Sequence, residues 1–206
     1  HYLRLKTLTK YMQFPKTPGQ CVYLRGIQSS KPILVATGPA GSGKTMLACH
    51  EAVRRLSTRE FAKVIFTRPV VAVDENLGYL PGDIDEKMEP WARVMLEYCH
   101  LSHRMSVEPL GFMRGRTFDD TFIIADEMQN STPNQMKMLL TRIGNNSKMV
   151  IVGDMEQSDL VETNGLTDII GRIDGLELTY INHVTMGSED VIRHPTISEI
   201  LSVYRI

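Results

Sequence analysis

The sequence predicts a three-layer α/β domain with a mostly parallel central sheet, and three observations carry that expectation. Short apolar runs recur at 32–37, 64–66, 121–125 and 149–152, unbroken in the manner of strands buried on both faces. Helix-patterned segments at 46–56, 132–143 and 166–173 separate later runs, as crossovers between parallel strands require. Three of the runs end in glycine, carboxylate or amide residues, which gathers polar chemistry where open parallel sheets bind ligands.

The first run leads into Gly38-Pro39-Ala40-Gly41-Ser42-Gly43-Lys44-Thr45. This octet meets every fixed position of the phosphate-binding loop G-x-x-x-x-G-K-[ST], and its strand-loop-helix setting is right. Glycines at 38, 41 and 43 let successive N–H groups converge on an anion, and the following helix start adds partial positive charge. Lys44 is placed to reach outer phosphates and the Thr45 hydroxyl to ligate magnesium. A bare glycine-rich turn is the bland alternative, and the flanking strand and helix speak against it.

The second polar strand end is Asp126-Glu127, after the apolar run 121–125. Two adjacent carboxylates there are costly unless they meet a cation or water. Beside a phosphate loop the economical reading is that Asp126 holds Mg2+ and Glu127 polarises the attacking water; the alternative is a plain acidic turn. The third is Gly153-Asp154-Met155-Glu156-Gln157, where Gln157 either contacts the γ-phosphate and the water or is an ordinary loop glutamine.

Composition sets outer bounds. At 206 residues the chain suits one α/β domain and is short for two nucleotide-binding domains. A net charge of −1 argues against a protein basic throughout, without excluding a local basic patch. No run reaches the roughly eighteen apolar residues of a membrane span, and no secretory signal pattern is present. Cys21, Cys49 and Cys99 are odd in number and scattered, which suits reduced thiols in a cytoplasmic setting. The chain begins at His1 rather than methionine, so residues upstream are expected.

Taken in order, residues 1–30 read as a lead-in and 31–206 as the single domain. The lead-in holds prolines 15 and 18 and then a short helix starting near Gly19-Gln20. The 64–66 strand stops at Thr67-Arg68-Pro69, and a long acidic loop and a helix over 84–100 follow. A strand is expected over 107–110 and a basic stretch over 111–117 with Arg114 and Arg116. Thr132-Pro133-Asn134-Gln135 reads as a capping box, with Met136, Leu139, Leu140 and Ile143 on one helix face. A strand over 176–182 and a closing helix from Pro195 complete the domain.

Together these motifs resemble the PhoH family of phosphate-starvation-inducible P-loop ATPases. Beyond the phosphate loop, the resemblance rests on Leu77-Gly78-Tyr79-Leu80-Pro81-Gly82-Asp83, Met113-Arg114-Gly115-Arg116-Thr117-Phe118, Asp126-Glu127-Met128-Gln129-Asn130 and Glu189-Asp190-Val191-Ile192-Arg193-His194-Pro195. It covers nearly the whole chain from about Pro15. It implies a RecA-like fold related to the motor core of superfamily-one helicases, with ATP and Mg2+ as ligands. By that resemblance Gln20 reads adenine, Gln157 senses the γ-phosphate and Arg193 is a candidate arginine finger. Thr67-Arg68-Pro69 then corresponds to the motif that faces RNA or single-stranded DNA, with Arg114, Arg116 and Arg142 as further candidates. The segments 100–107 and 159–165 look shorter than the family pattern, and with no nuclease motif among these residues, hydrolysis of RNA is not expected of them.

The function expected is hydrolysis of ATP to ADP and phosphate by a ring of identical subunits, for instance a hexamer, because one motor domain must receive its finger from a neighbour. The alternative is a nucleic-acid-binding module that nucleotide switches with little turnover. A small-molecule kinase shares the phosphate loop, but Asp126-Glu127 is the hydrolase form and no acceptor-binding lid is evident. No membrane partner is expected.

Overall fold

In the computed structural model, the described residues are 15–69, 103–158 and 163–192, with Thr196 and Val203, both helical, beyond them. The expected helix over 84–100, the acidic loop before it, Cys99, His100 and Arg193 lie outside them, as does the rest of the closing helix.

Six strands form one sheet: β1 (Ile33–Thr37), β2 (Lys63–Thr67), β3 (Met105–Val107), β4 (Thr121–Ala125), β5 (Lys148–Gly153) and β6 (Ile181–Thr185). Their spatial order is β3-β2-β4-β5-β1-β6, and every pairing among them is parallel. Helices α1 (Pro18–Gln28), α2 (Lys44–Ser57), α3 (Pro133–Leu140) and α4 (Gly165–Ile173) flank it.

Alternation along each strand divides the core in two. Leu34 and Ala36 of β1 pack with Val64, Phe122, Val150 and residues of α1 and α2. Ile33 and Val35 face the other way, onto Ile123, Met149 and residues of α3 and α4. Helices therefore cover both faces, and the expectation of a three-layer α/β domain with a parallel central sheet holds. The runs at β1, β4 and β5 are buried throughout, which is why they read as unbroken apolar strings rather than alternating ones. Tyr23 and Ile27 of α1 belong to the same cluster as Leu47 and Ala52 of α2, so residues 18–28 are part of the packed body.

Local signals fix several boundaries. Thr132 accepts from the Gln135 N–H while the Gln135 side chain accepts from the Thr132 N–H, which is the capping box read from the sequence. Thr17 caps α1 by accepting from the Gln20 N–H, with Pro18 at its first position, so this helix starts slightly earlier than expected. Lys148, at the start of β5, is 3% exposed and donates to the carbonyls of Gly26, Ser29 and Lys31 at 3.1, 3.1 and 2.6 Å. A cation here meets the partial negative charge at the end of α1. Burial pushes its pKa down to about 8, with the Arg55 charge adding to the shift.

Three expectations are corrected. The strand expected over 176–182 is β6 at Ile181–Thr185, because the pairing Ile33↔Ile181 through Thr37↔Thr185 sets its register. Leu176 and Tyr180 are instead exposed, at 59% and 69%. The strand expected over 107–110 is β3 at Met105–Val107, followed by a 3-10 turn at Leu110–Met113. Helix α3 ends at Leu140, and Ile143 reaches its apolar setting through a bridge to Phe118 rather than on the helix face.

Candidate functional site

All six strands point the same way, so their carboxyl ends share one edge. The register sets Thr37 beside Gly153, Ile151 beside Ala125 and Ala125 beside Thr67. The chain leaves β1, β4 and β5 there as the phosphate loop, Asp126-Glu127 and the Asp154–Gln157 turn. Strand β5 separates β1 from β4, so this turn projects between the phosphate loop and the carboxylate pair. Together they line a cavity of about 350 Å³, with Gln20, Lys44, Thr45, Glu127 and Gln157 in its wall. That volume lies within the range of small-molecule sites.

The loop adopts backbone that glycine permits. Gly38, Gly41 and Gly43 have φ of 150°, 86° and 87°, all in the region that a Cβ disfavours. A Cβ at Gly38 would also stand 2.6 Å from the Met186 carbonyl oxygen. Lys44 donates to the carbonyls of Gly38 and Pro39 at 2.6 and 2.9 Å and to Ser42 Oγ at 3.2 Å. Gln20 is 1% exposed; its Nε2 donates to the Ser42 carbonyl at 3.1 Å, and its Oε1 accepts from the Lys16 N–H at 2.8 Å. The amide thus braces the loop while forming part of the cavity wall.

Thr45 Oγ1 donates to Asp126 Oδ1 at 2.9 Å. Burial, and after it the neighbouring Glu127 charge, push the Asp126 pKa up to about 6. The Thr45 hydroxyl, the Arg68 guanidinium and the Glu127 backbone N–H pull in the opposite direction. The ionised carboxylate therefore opposes folding at neutral pH: the stability associated with Asp126 is fully present below about 4 and is lost as pH rises through about 6. The rise from the usual 3.8 to about 6 is worth roughly 3 kcal/mol. Asp126→Asn, which keeps an acceptor for Thr45, is expected to raise the thermal midpoint at pH 7.5 without nucleotide or metal. The gain should vanish near pH 4; an equal gain at both values would show that charge is not its origin.

These donors fit a magnesium ion. Asp126 and Thr45 offer hard oxygens, and Asp126 is a buried carboxylate whose charge a cation would offset. Among the described residues no three His, Cys, Asp or Glu side chains converge.

Glu127 is half-buried and holds φ 53° and ψ 36°. A residue with a Cβ in this left-handed region is strained by about 1–3 kcal/mol, a cost met most often at functional sites. Its Oε2 accepts from Gln129 Nε2 at 2.6 Å. Gln157 is exposed at the cavity wall, with its N–H on the Asp154 carbonyl.

Two contacts carry no spacing signal. Asp154 Oδ2 accepts from the Ala40 N–H at 2.9 Å, tying the β5 turn to the phosphate loop. Asp190, 1% exposed, accepts from the Thr17 hydroxyl and, at 3.0 Å each, from the N–H groups of Gly19 and Gly187. Burial raises its pKa, but these bonds together outweigh burial and hold it below the usual carboxylate value. Just beyond, the Ile192 N–H reaches the Gly41 carbonyl at 3.2 Å. The segment leading to Arg193 therefore lies against both α1 and the loop.

The expected nucleic-acid arginines separate. Arg68 is half-buried and acts electrostatically on Asp126. Arg116 pairs with Glu108 and lies 4.6 Å over the Phe118 ring. Arg142 donates to the carbonyls of Met138 and Arg116. Arg114 is exposed, and Phe112, two residues earlier, is 56% exposed.

A family model described as PhoH-like protein matches residues 13–205. The chain is 40% identical to a PhoH-like protein of Bacillus subtilis (strain 168), over 92% of this chain and 63% of that protein. It is 37% identical to Protein PhoH of Escherichia coli (strain K12), over 92% of this chain and 57% of that protein. It thus spans less than two thirds of these curated relatives. Among solved structures it is similar to a Bacteroides Pif1 bound to ssDNA, at TM-score 0.40 and 14% identity, covering 92% of this chain and 46% of that one. A Bacteroides sp Pif1 in complex with ADP-AlF4 gives TM-score 0.38 and 14% identity, covering 93% of this chain and 46% of that one.

Proposed function

The chain belongs to the family of PhoH-like proteins, and from that premise we propose that it hydrolyses ATP to ADP and phosphate. The observation that carries this reading is the meeting, in one cavity, of the phosphate loop, the Thr45–Asp126 hydrogen bond and the strained Glu127. Loop N–H groups and the Lys44 ammonium bind the phosphates, with Lys44 exchanging carbonyl contacts for phosphate oxygens. Thr45 and Asp126 hold the magnesium ion, which when bound neutralises charge on the β- and γ-phosphate oxygens. Glu127 accepts a proton from water as the water oxygen bonds to the γ-phosphorus. The bond from phosphorus to the bridging oxygen breaks, and ADP leaves. Gln157 orients the water or the γ-phosphate. Gln20 offers adenine its second Nε2 hydrogen and the remaining lone pair of Oε1.

Exposed Phe112, two residues before exposed Arg114, favours a second reading, in which single-stranded nucleic acid stacks on the ring and pairs its backbone with the cation. Turnover with and without single-stranded RNA, at two salt concentrations, tests both readings. Turnover that RNA accelerates at low salt supports coupling. Salt-dependent RNA binding with no turnover would leave only the nucleotide-switched module, and turnover indifferent to RNA would leave only the ATPase.

The ring proposal comes from the sequence, since these 206 residues hold one phosphate loop and Arg193 is a candidate finger. Arg193→Ala is expected to lower turnover by about 10³-fold or more while nucleotide binding persists. A monomeric protein with full activity would overturn the ring.

A further inference from the structure

Gln129 stands two residues beyond Glu127, and the sequence marks it with no role of its own. It is 1% exposed, and each end of its amide is engaged. Nε2 donates to Glu127 Oε2 at 2.6 Å, and Oε1 accepts from the Asp154 N–H at 3.1 Å. Its backbone carbonyl accepts from Ser158 Oγ at 3.1 Å. Space for this arrangement is reserved at Gly153, where an added Cβ would fall 2.6 Å from Gln129 Oε1. Because Asp154 also receives the Ala40 N–H, an unbroken line of hydrogen bonds runs from the phosphate loop through Asp154 and Gln129 to the Glu127 carboxylate.

A carboxylate that accepts a water proton needs one oxygen turned to the water. Free rotation about its terminal bonds would spread that oxygen over many positions. A buried amide donating to the other oxygen limits the rotation, and an amide anchored on a strand end limits it best. Resting on the hydrolysis reading above, we propose that Gln129 is a positioning residue. It fixes the Glu127 carboxylate by holding Oε2, leaves Oε1 for the water, and registers the carboxylate against the phosphate loop through Asp154.

Gln129→Glu separates the two ends of the amide. It retains an acceptor for the Asp154 N–H and replaces the amide donor to Glu127 with a second carboxyl group, which repels the Glu127 carboxylate or shares a proton with it. In the full chain, kcat for ATP hydrolysis is expected to fall about ten- to a hundredfold, as when the partner that orients a reacting group is lost. KM and calorimetric ADP affinity should stay within about twofold of wild type, because the lost interaction is not one that binds ground-state nucleotide. A double-mutant cycle supplies the readout that a purely structural role would not move: in the Glu127→Gln background, Gln129→Glu should produce no further fall. Gln129→Met, uncharged and of similar length, repeats the measurement should the glutamate variant lower the thermal midpoint.

Wild-type turnover with an unchanged or raised kcat in both Gln129 variants overturns the positioning role and leaves the hydrolysis reading standing. An equal fall with and without Glu127 overturns it too, since Gln129 would then act elsewhere. Absence of wild-type turnover overturns the hydrolysis reading, and the positioning role with it.

Discussion

Glu127→Gln is expected to lower kcat by about 10²–10⁴-fold, the range that a positioned general base contributes, while ATP still binds. Glutamine preserves the size of the side chain and one carbonyl oxygen, so the contact with Gln129 Nε2 survives. It cannot take the water proton. Affinity should hold because Lys44, Thr45 and the loop N–H groups, which bind phosphate in the proposed chemistry, are untouched. Single-turnover kinetics with ATP, alongside calorimetric binding, checks this. A variant that turns over at the wild-type rate would remove Glu127 from the reaction. One that loses binding in proportion to turnover would make it a structural residue at the cavity wall.

Lys44→Ala should act on binding itself, and unequally across nucleotides. Its ammonium is the one cation within the loop, and charge-assisted hydrogen bonds to phosphate contribute about 1.5–3 kcal/mol. Affinity for ATP should therefore fall by roughly ten- to a hundredfold or more, with ADP less affected and AMP nearly unchanged. The gradation matters because Lys44 also holds the Gly38 and Pro39 carbonyls. If its main work were to brace the loop, all three nucleotides would weaken together, and comparing them in one titration series separates the two roles.

Much of this site could be read from the chain because it is written in short strings. The phosphate loop, Asp126-Glu127 and the Thr132-Gln135 capping box each depend on spacing within a few residues. Covalent geometry carries such spacing directly into the fold. The β1, β4 and β5 strands were equally legible, since burial on both faces leaves an unbroken apolar run. The strand near the carboxyl end was not. Leu176, Leu178 and Tyr180 alternate as a half-buried strand would, yet pairing with β1 selects Ile181–Thr185, and a register is a property of two segments. Asp190 escaped for the same reason, as its partners Thr17 and Gly19 stand at the other end of the sequence. Gln129 lay inside a recognised motif, but an amide two residues from a carboxylate has no periodicity that announces contact. The family resemblance offers Arg116 and Arg142 to nucleic acid, and nothing local reveals that Glu108, Phe118 and nearby carbonyls engage them.

The three carbonyls gathered by Lys148 have a mechanical consequence. They fasten the far end of α1 to the root of β5, while the near end of α1 is fastened through Gln20 to the loop and the tip of β5 through Asp154 to the same loop. Helix, loop and strand thus close a braced triangle with a bond at every corner. A triangle cannot shear without breaking a side, so α1 cannot slide along β5 while these bonds last. A displacement imposed at one corner would therefore be felt at the other two.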